Sequence, residues 1–201
     1  MFCIDDPVIQ ELQAKFPLPE LKSSSDFYHD MVENIVCQQL SGKVAQVIFN
    51  RFKGLFADNY PTPSLVLATP DEALRGVGLS GAKTKYVKAL AEFTLHHDLS
   101  LQQISKYSDE ELIKLLTQIK GVGVWTAQML LVFSLNRVDV FPVDDLAIQQ
   151  GMRELYGLKM EGKAFKTRLV KISDKWSPFR TIGTRLIWGY VNDKKLNTTR
   201  R

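Results

Sequence analysis

Apolar residues recur along this chain at intervals of three and four, and no stretch alternates apolar with polar residues persistently enough to read as a strand. Val8 to Phe16 reads as a short amphipathic helix, ended by Pro17 and Pro19 ahead of a polar Ser23-Ser-Ser25 connector and a capping Asp26. Over residues 27–39, Phe27, Met31, Ile35 and Val36 share one stripe. Over 43–56 Val44, Val47, Ile48 and Phe52 form another, and both stripes are expected to face the core. Thr69-Pro-Asp-Glu72 has a threonine cap, a proline at the first helical position and a glutamate three residues after the cap. Residues 82–96 set Tyr86, Leu90, Phe93 and Leu95 as an apolar group and leave Lys83, Lys85 and Lys88 mostly solvated. Ser108-Asp-Glu-Glu111 has the form of a capping box, with Leu112, Leu115, Leu116 and Ile119 following at helical spacing. Further helices are expected over 126–135, over 144–155 closed by Gly157, over 163–176, and from Ser177-Pro178 to about Val191, with a loose basic tail to Arg201. The expected class is all-α.

Two glycine turns interrupt the helical pattern. In the first, Arg75-Gly-Val-Gly-Leu-Ser-Gly-Ala82, the glycines are read as serving packing. In the second, Gly121 and Gly123 bracket Val122 directly before an apolar helix, so the backbone there can take positive φ or approach another molecule without a Cβ in the way. The first amides of the following helix point outward, and the helix dipole favours an anion there. An ordinary helix connection with Gly121 as a C-terminal cap is the other reading of the same residues.

Composition adds bounds. With 201 residues, 45% hydrophobic and 24% charged, the chain can bury a sizeable core, and a net charge of +4 permits an anionic partner without demanding one. Cys3 and Cys37 are the two cysteines, too few for a disulfide framework, an iron-sulfur cluster or a structural zinc site, and a reducing compartment is expected. His96-His97-Asp98 cannot converge on one ion from a regular helix and is read as a helix end. No catalytic metal and no cofactor are expected. No run approaches a membrane span, and the N-terminus lacks a basic n-region and an apolar h-region. The expectation is no membrane association and a cytoplasmic location in a bacterium, or a nuclear one otherwise.

The stretch Ile119-Lys-Gly-Val-Gly-Val-Trp-Thr-Ala127 resembles the helix-hairpin-helix DNA-binding motif Leu-x-Gly-Val-Gly-x-x-Thr-Ala, and Asp145 follows in Asp139-Val-Phe-Pro-Val-Asp-Asp-Leu-Ala-Ile148. Glu33-Asn-Ile-Val-Cys-Gln-Gln-Leu-Ser-Gly-Lys-Val-Ala45 and Trp176-Ser-Pro-Phe-Arg-Thr-Ile-Gly-Thr-Arg-Leu-Ile-Trp188 extend the likeness over roughly residues 27 to 192. Together they resemble the helix-hairpin-helix DNA glycosylase superfamily, and within it the alkylated-base branch typified by bacterial 3-methyladenine DNA glycosylase II. The resemblance implies a two-lobed all-helical fold with a cleft between the lobes. One lobe would be residues 27–137 with the hairpin and the other 1–26 plus 138–201, the whole forming a single glycosylase unit without the extra N-terminal β domain of the larger bacterial enzyme.

Cleaving an N-glycosidic bond builds positive charge at C1′ of the sugar, which a fixed carboxylate can stabilise. By resemblance that carboxylate is Asp145. Asp is also the common helix N-cap, and the cap is assigned to Asp144. Trp125 stands where lyase relatives carry an attacking lysine, which implies a monofunctional enzyme that uses water. The resemblance places Gln39, Trp125, Met129 and Trp188 at the base pocket, although Trp188 reads equally well as core, and Trp176 is read as core. It places Gly121, Val122, Gly123, Thr126 and Lys120 against the DNA backbone and Leu40, beside Gln39, as the wedge that fills the gap left by an extruded base. The implied partner is double-stranded DNA containing damaged bases, bound by a monomer. Two alternatives stay open: a protein that binds damage without cutting, and a glycosylase for another lesion such as uracil or a deaminated purine.

Overall fold

The structure, a computed structural model, describes residues 4–18, 20 and 24–199. Cys3, Pro19, Ser23, Arg200 and Arg201, to which the sequence assigned roles or a tail, lie outside the described residues. Among the described residues every regular element is helical. In chain order they are α1 (Pro7–Lys15), α2 (Phe27–Cys37), α3 (Gly42–Lys53), α4 (Pro63–Ala68), α5 (Asp71–Gly76), α6 (Gly81–His96), α7 (Leu101–Ile104), α8 (Asp109–Leu116), α9 (Val124–Phe133), α10 (Leu146–Leu155), α11 (Gly162–Ser173) and α12 (Arg180–Thr199), with 3-10 turns at Ala57–Asn59 and Asp174–Trp176. The chain divides into two compact units, Ser23–Leu130 and Met1–Lys22 with Leu131–Arg201.

In the unit Ser23–Leu130, Phe27, Met31, Ile35, Phe49, Phe52, Leu74, Leu90, Leu112 and Leu116 are buried together with little or no exposure. Burying each such side chain contributes about 1.5–3 kcal/mol. The α3 stripe keeps Phe52 of the expected one and otherwise differs. Val44 and Val47 are 47% and 49% exposed, and the helix turns Ala45, Phe49 and Phe52 inward. Both stripes have helical period, and the aromatic one buries more area. On α6 the buried set is Thr84, Val87, Leu90 and Ala91, while Leu95 is 54% exposed. Thr69 does not cap the start of α5 but closes the end of the preceding α4, where its amide and its hydroxyl donate to the Leu65 carbonyl at 3.0 and 2.8 Å. Thr62 caps that helix, with Pro63 in its first turn. The capping box at Ser108 and Glu111 is present. Gly78, at φ +109, lets the first glycine turn lie against the Ile48 side chain, in keeping with a packing role.

In the other unit, Trp176 is fully buried among Ile9, Leu12, Phe141, Phe165 and Leu186. Asp6 caps α1 through the Val8 and Ile9 amides and accepts the Trp176 indole N–H at 3.1 Å and the Tyr156 hydroxyl at 2.9 Å. Residues remote in sequence are joined through that one carboxylate. The segment 193–199 is not a loose tail but continues α12, supported by an Asn197 to Asp193 hydrogen bond one turn back and by Lys194 on Glu154 at 2.7 Å. The start of α12 is not capped by Ser177-Pro178. The Arg180 amide donates instead to Asp139 Oδ1 at 3.0 Å, a cap supplied from far upstream.

Candidate functional site

In the unit Ser23–Leu130, α8 ends in a turn at Thr117 and the chain reverses through residues 118–123 into α9. The Val122 amide closes the turn on the Ile119 carbonyl at 3.0 Å, and both side chains are buried. The two glycines do different jobs. Gly121 is held at φ +94 with the Tyr86 ring directly over it, so that a Cβ would overlap the ring. Gly123 has no positive φ, and a Cβ there would meet nothing within 4 Å. The first rung of the α9 ladder runs from the Ala127 amide to the Gly123 carbonyl at 2.9 Å, so the amides of Val124 to Thr126 precede the ladder at the positive end of the helix dipole. Beside an open glycine, that is a surface shaped for an anion. Lys120 is exposed at its edge, while Thr126 is buried.

A cavity of about 580 Å³ borders this hairpin, lined by Asn34, Cys37, Gln38, Gln39, Tyr86, Gly121, Trp125 and Thr126. Trp125 is 44% exposed there. Four of the sequence-assigned residues, Gln39, Gly121, Trp125 and Thr126, thus meet around one space. Gln39 is exposed and sits at φ +58, a left-handed conformation that costs a non-glycine residue about 1–2 kcal/mol. Leu40 beside it is half-buried. Met129 is buried within α9 and lines neither this cavity nor the one described below. Sequence reasoning did not single out Asn34, Cys37 and Gln38, which lie within the stretch that carries the resemblance, nor Tyr86, which it read only as one of the apolar set on its helix. It also took Lys83 as solvated, whereas Lys83 Nζ donates to the Val36 carbonyl at 2.8 Å.

In the other unit the segment leading to α10 is fastened to the start of α12. Arg180 grips Asp139 with two guanidinium hydrogen bonds of 2.9 Å each. The Thr181 hydroxyl donates to the Arg137 carbonyl at 2.7 Å and accepts the Val140 amide at 2.9 Å. Burial works to raise the Asp139 pKa, but the hydrogen bonds from Arg180 and Ser177 outweigh it and leave the carboxyl below its ordinary value. This fastening delivers Asp145 to the mouth of α10.

There the assignment of the two aspartates is corrected. Asp145, with extended backbone, is itself the N-cap, its Oδ1 accepting the Ile148 amide at 2.9 Å. Asp144 is exposed and pairs with Lys166 Nζ at 2.6 Å. The Asp145 amide turns back onto the Pro142 carbonyl at 3.0 Å, which leaves the second aspartate, not the first, just ahead of the helix. Asp145 is 9% exposed and also accepts the Trp188 indole N–H on Oδ1 at 3.1 Å. Trp188 is therefore not plain core. It stacks on Phe133 with ring centroids 5.5 Å apart, and both rings line a cavity of about 350 Å³ with Phe16, Leu18 and Arg185. In the sequence Phe133 is only the last apolar residue of a largely apolar helix, and its 47% exposure shows in the structure alone. Among the described residues no group of three or more His, Cys, Asp or Glu side chains could hold a metal ion, and no helix is long and apolar enough to cross a membrane.

The pattern of the HhH-GPD superfamily base excision DNA repair proteins matches residues 32–175. DNA-3-methyladenine glycosylase 1 of Schizosaccharomyces pombe is 40% identical over 164 residues, which are 80% of this chain and 71% of that protein. Among solved structures, the 3-methyladenine DNA glycosylase of Schizosaccharomyces pombe in complex with abasic DNA superposes with a TM-score of 0.78 at 36% identity, covering 92% of this chain and 91% of that one. DNA-3-methyladenine glycosidase from Bacillus halodurans superposes with a TM-score of 0.77 at 30% identity, covering 94% of this chain and 91% of that one.

Proposed function

The chain belongs to the HhH-GPD superfamily of base excision DNA repair proteins, and from that premise we propose that it is a monofunctional DNA glycosylase that releases alkylated purines by hydrolysing the N-glycosidic bond. The observation that carries this reading is Asp145, a nearly buried carboxylate at a helix mouth, held by the Ile148 amide and the Trp188 indole. As the base departs, positive charge grows on the sugar at C1′, and an anion already fixed in place stabilises it without reorganising. The same carboxylate can orient the water that attacks C1′ and take up its proton. Duplex DNA suits the hairpin, whose first-turn α9 amides and open Gly123 accept a backbone phosphate. An alkylated purine is cationic, and an indole face such as that of Trp125 or Trp188 attracts it by about 0.5–2 kcal/mol. The names of the relatives point to the same class of lesion. Position 125 carries an indole where lyase relatives carry an amine, so water is the nucleophile and an abasic site the product.

Incubation with methylated duplex DNA is expected to release 3-methyladenine and 7-methylguanine as free bases, and borohydride added to the reaction is expected to trap no covalent complex. Release of uracil or a deaminated purine alone would move the substrate to another lesion. Binding of damaged DNA without any release would make the protein a damage binder, and a trapped adduct would end the monofunctional reading.

The hairpin makes its own prediction. Gly123→Leu places a side chain in open space and leaves the fold intact, yet it covers the surface offered to phosphate. Affinity should fall by about 10- to 100-fold, the loss of a charge-assisted hydrogen bond or two, and by the same factor on damaged and undamaged duplexes. Fluorescence anisotropy at fixed salt measures both. Unchanged affinity would reduce the hairpin to a structural turn.

A further inference from the structure

We propose that Lys83 is a positioning residue, whose ammonium closes the C-terminal end of α2 and holds the strap Gln38 to Ser41 in the shape that presents Gln39 to the DNA stack. This rests on the reading of the chain as a DNA glycosylase that opens the stack at its lesion.

The last four carbonyls of a helix have no ladder partner. At the end of α2, the Asn34 carbonyl takes the Gln38 amide at 3.0 Å and the Cys37 carbonyl takes the Leu40 amide at 3.2 Å. Between them the Val36 carbonyl takes Lys83 Nζ at 2.8 Å, a donor 47 residues further along the chain. A lysine ordinarily keeps its ammonium in water and lays only its stem on the protein. This one is drawn partly out of solvent, and burial pulls its pKa below the usual lysine value. Its compensation is a charge-assisted hydrogen bond at the negative end of the α2 dipole. Directly after the capped turn, Gln39 takes a left-handed conformation at a position where helices commonly place glycine. Such a strap needs holding from outside, and Lys83 holds it at its root.

The same helix also reaches the hairpin. Tyr86 lies one turn after Lys83 on α6, packs over Gly121 and shares the wall of the 580 Å³ cavity with Gln39 and Trp125. One rigid helix therefore fixes the strap through Lys83 and the phosphate-binding turn through Tyr86. Loss of the ammonium releases the strap and leaves the turn where it is.

Lys83→Met keeps the stem and removes the donor, and Lys83→Arg restores a charged donor. Amide hydrogen exchange in the free protein should become about 10-fold faster at Gln38 to Ser41 in Lys83→Met, with protection kept in the hairpin. A duplex with 2-aminopurine beside a tetrahydrofuran abasic analogue reports opening of the stack. Its fluorescence rise on saturation with protein should fall severalfold in Lys83→Met and recover in Lys83→Arg, while affinity for undamaged duplex stays within about twofold of the parent. Unchanged exchange would overturn the clamp, and faster exchange with an unchanged fluorescence rise would overturn the positioning role. An equal loss of affinity on all duplexes would make Lys83 a phosphate contact instead. Neither readout needs a base to be released. A parent that opens the stack and releases no alkylated purine would therefore sink the proposed activity while this assignment stood or fell on its own results.

Discussion

Asp145→Asn is expected to lower single-turnover release of 3-methyladenine at saturating enzyme by about a hundred- to a thousand-fold, the effect of removing one preorganised electrostatic group from a transition state. The substitution is unusually clean at this position. Two hydrogen bonds that hold the side chain, from the Ile148 amide and the Trp188 indole, end on Oδ1, and an asparagine carbonyl oxygen accepts both. Asparagine also caps helices about as well as aspartate, so α10 should keep its start and the thermal midpoint should hardly move. What disappears is the negative charge. Asp144→Asn loses only an exposed ion pair with Lys166, worth about 0–1 kcal/mol, and should release bases at nearly the parental rate. The two variants measured side by side by quenched-flow base release decide the assignment. Near-parental release by Asp145→Asn would remove the carboxylate from the chemistry.

The second large effect falls on folding. Gly121→Val should destabilise the unit Ser23–Leu130 by about 2–5 kcal/mol. Positive φ costs a β-branched residue at least about 1–2 kcal/mol, and forcing a side chain into the Tyr86 ring adds about 1–3 kcal/mol of overpacking. For a unit of this size the thermal midpoint should drop by roughly 10–20 °C. Adding Tyr86→Ala should recover part of the loss, since it removes the overlap and leaves only the backbone strain. Differential scanning calorimetry of the single and double variants tests this, and a Gly121→Val protein as stable as the parent would contradict the geometry of the turn. Gly123→Leu, two residues away, should fold normally and fail in binding. The contrast separates two glycines that look alike in the sequence.

Much of the fold was legible because its causes are local. Apolar spacing marks α2, α8 and α12, and the Ser108 capping box is complete within four residues. The paired glycines before an apolar helix identify the hairpin by the same logic. Short helices such as α4 and α7 escaped, since four to six residues hold too little period to read. Of the site, the resemblance marked out Asp145, the hairpin and two tryptophans, but not that Trp188 partners Asp145 or that Tyr86 and Lys83 partner the hairpin turn and the end of α2.

Those partners come from distant parts of the chain, and no local rule reaches them. The sequence by itself determined that residues 144 and 145 stand at the start of a helix. The turn of Asp145 onto Pro142 decided which aspartate caps it, and the arrival of Trp188 on the same oxygen made that cap a held carboxylate. Two stripes on α3, sharing Phe52, were equally periodic, and burial in the core chose the one through Ala45 and Phe49. Lys83 was one of three lysines on a helix surface until the end of α2 came to lie beneath it. Periodicity and propensity set which elements form, because they are properties of neighbours along the chain. Which side chain is desolvated, capped or charged toward a site depends on neighbours in space, and only the tertiary structure supplies those.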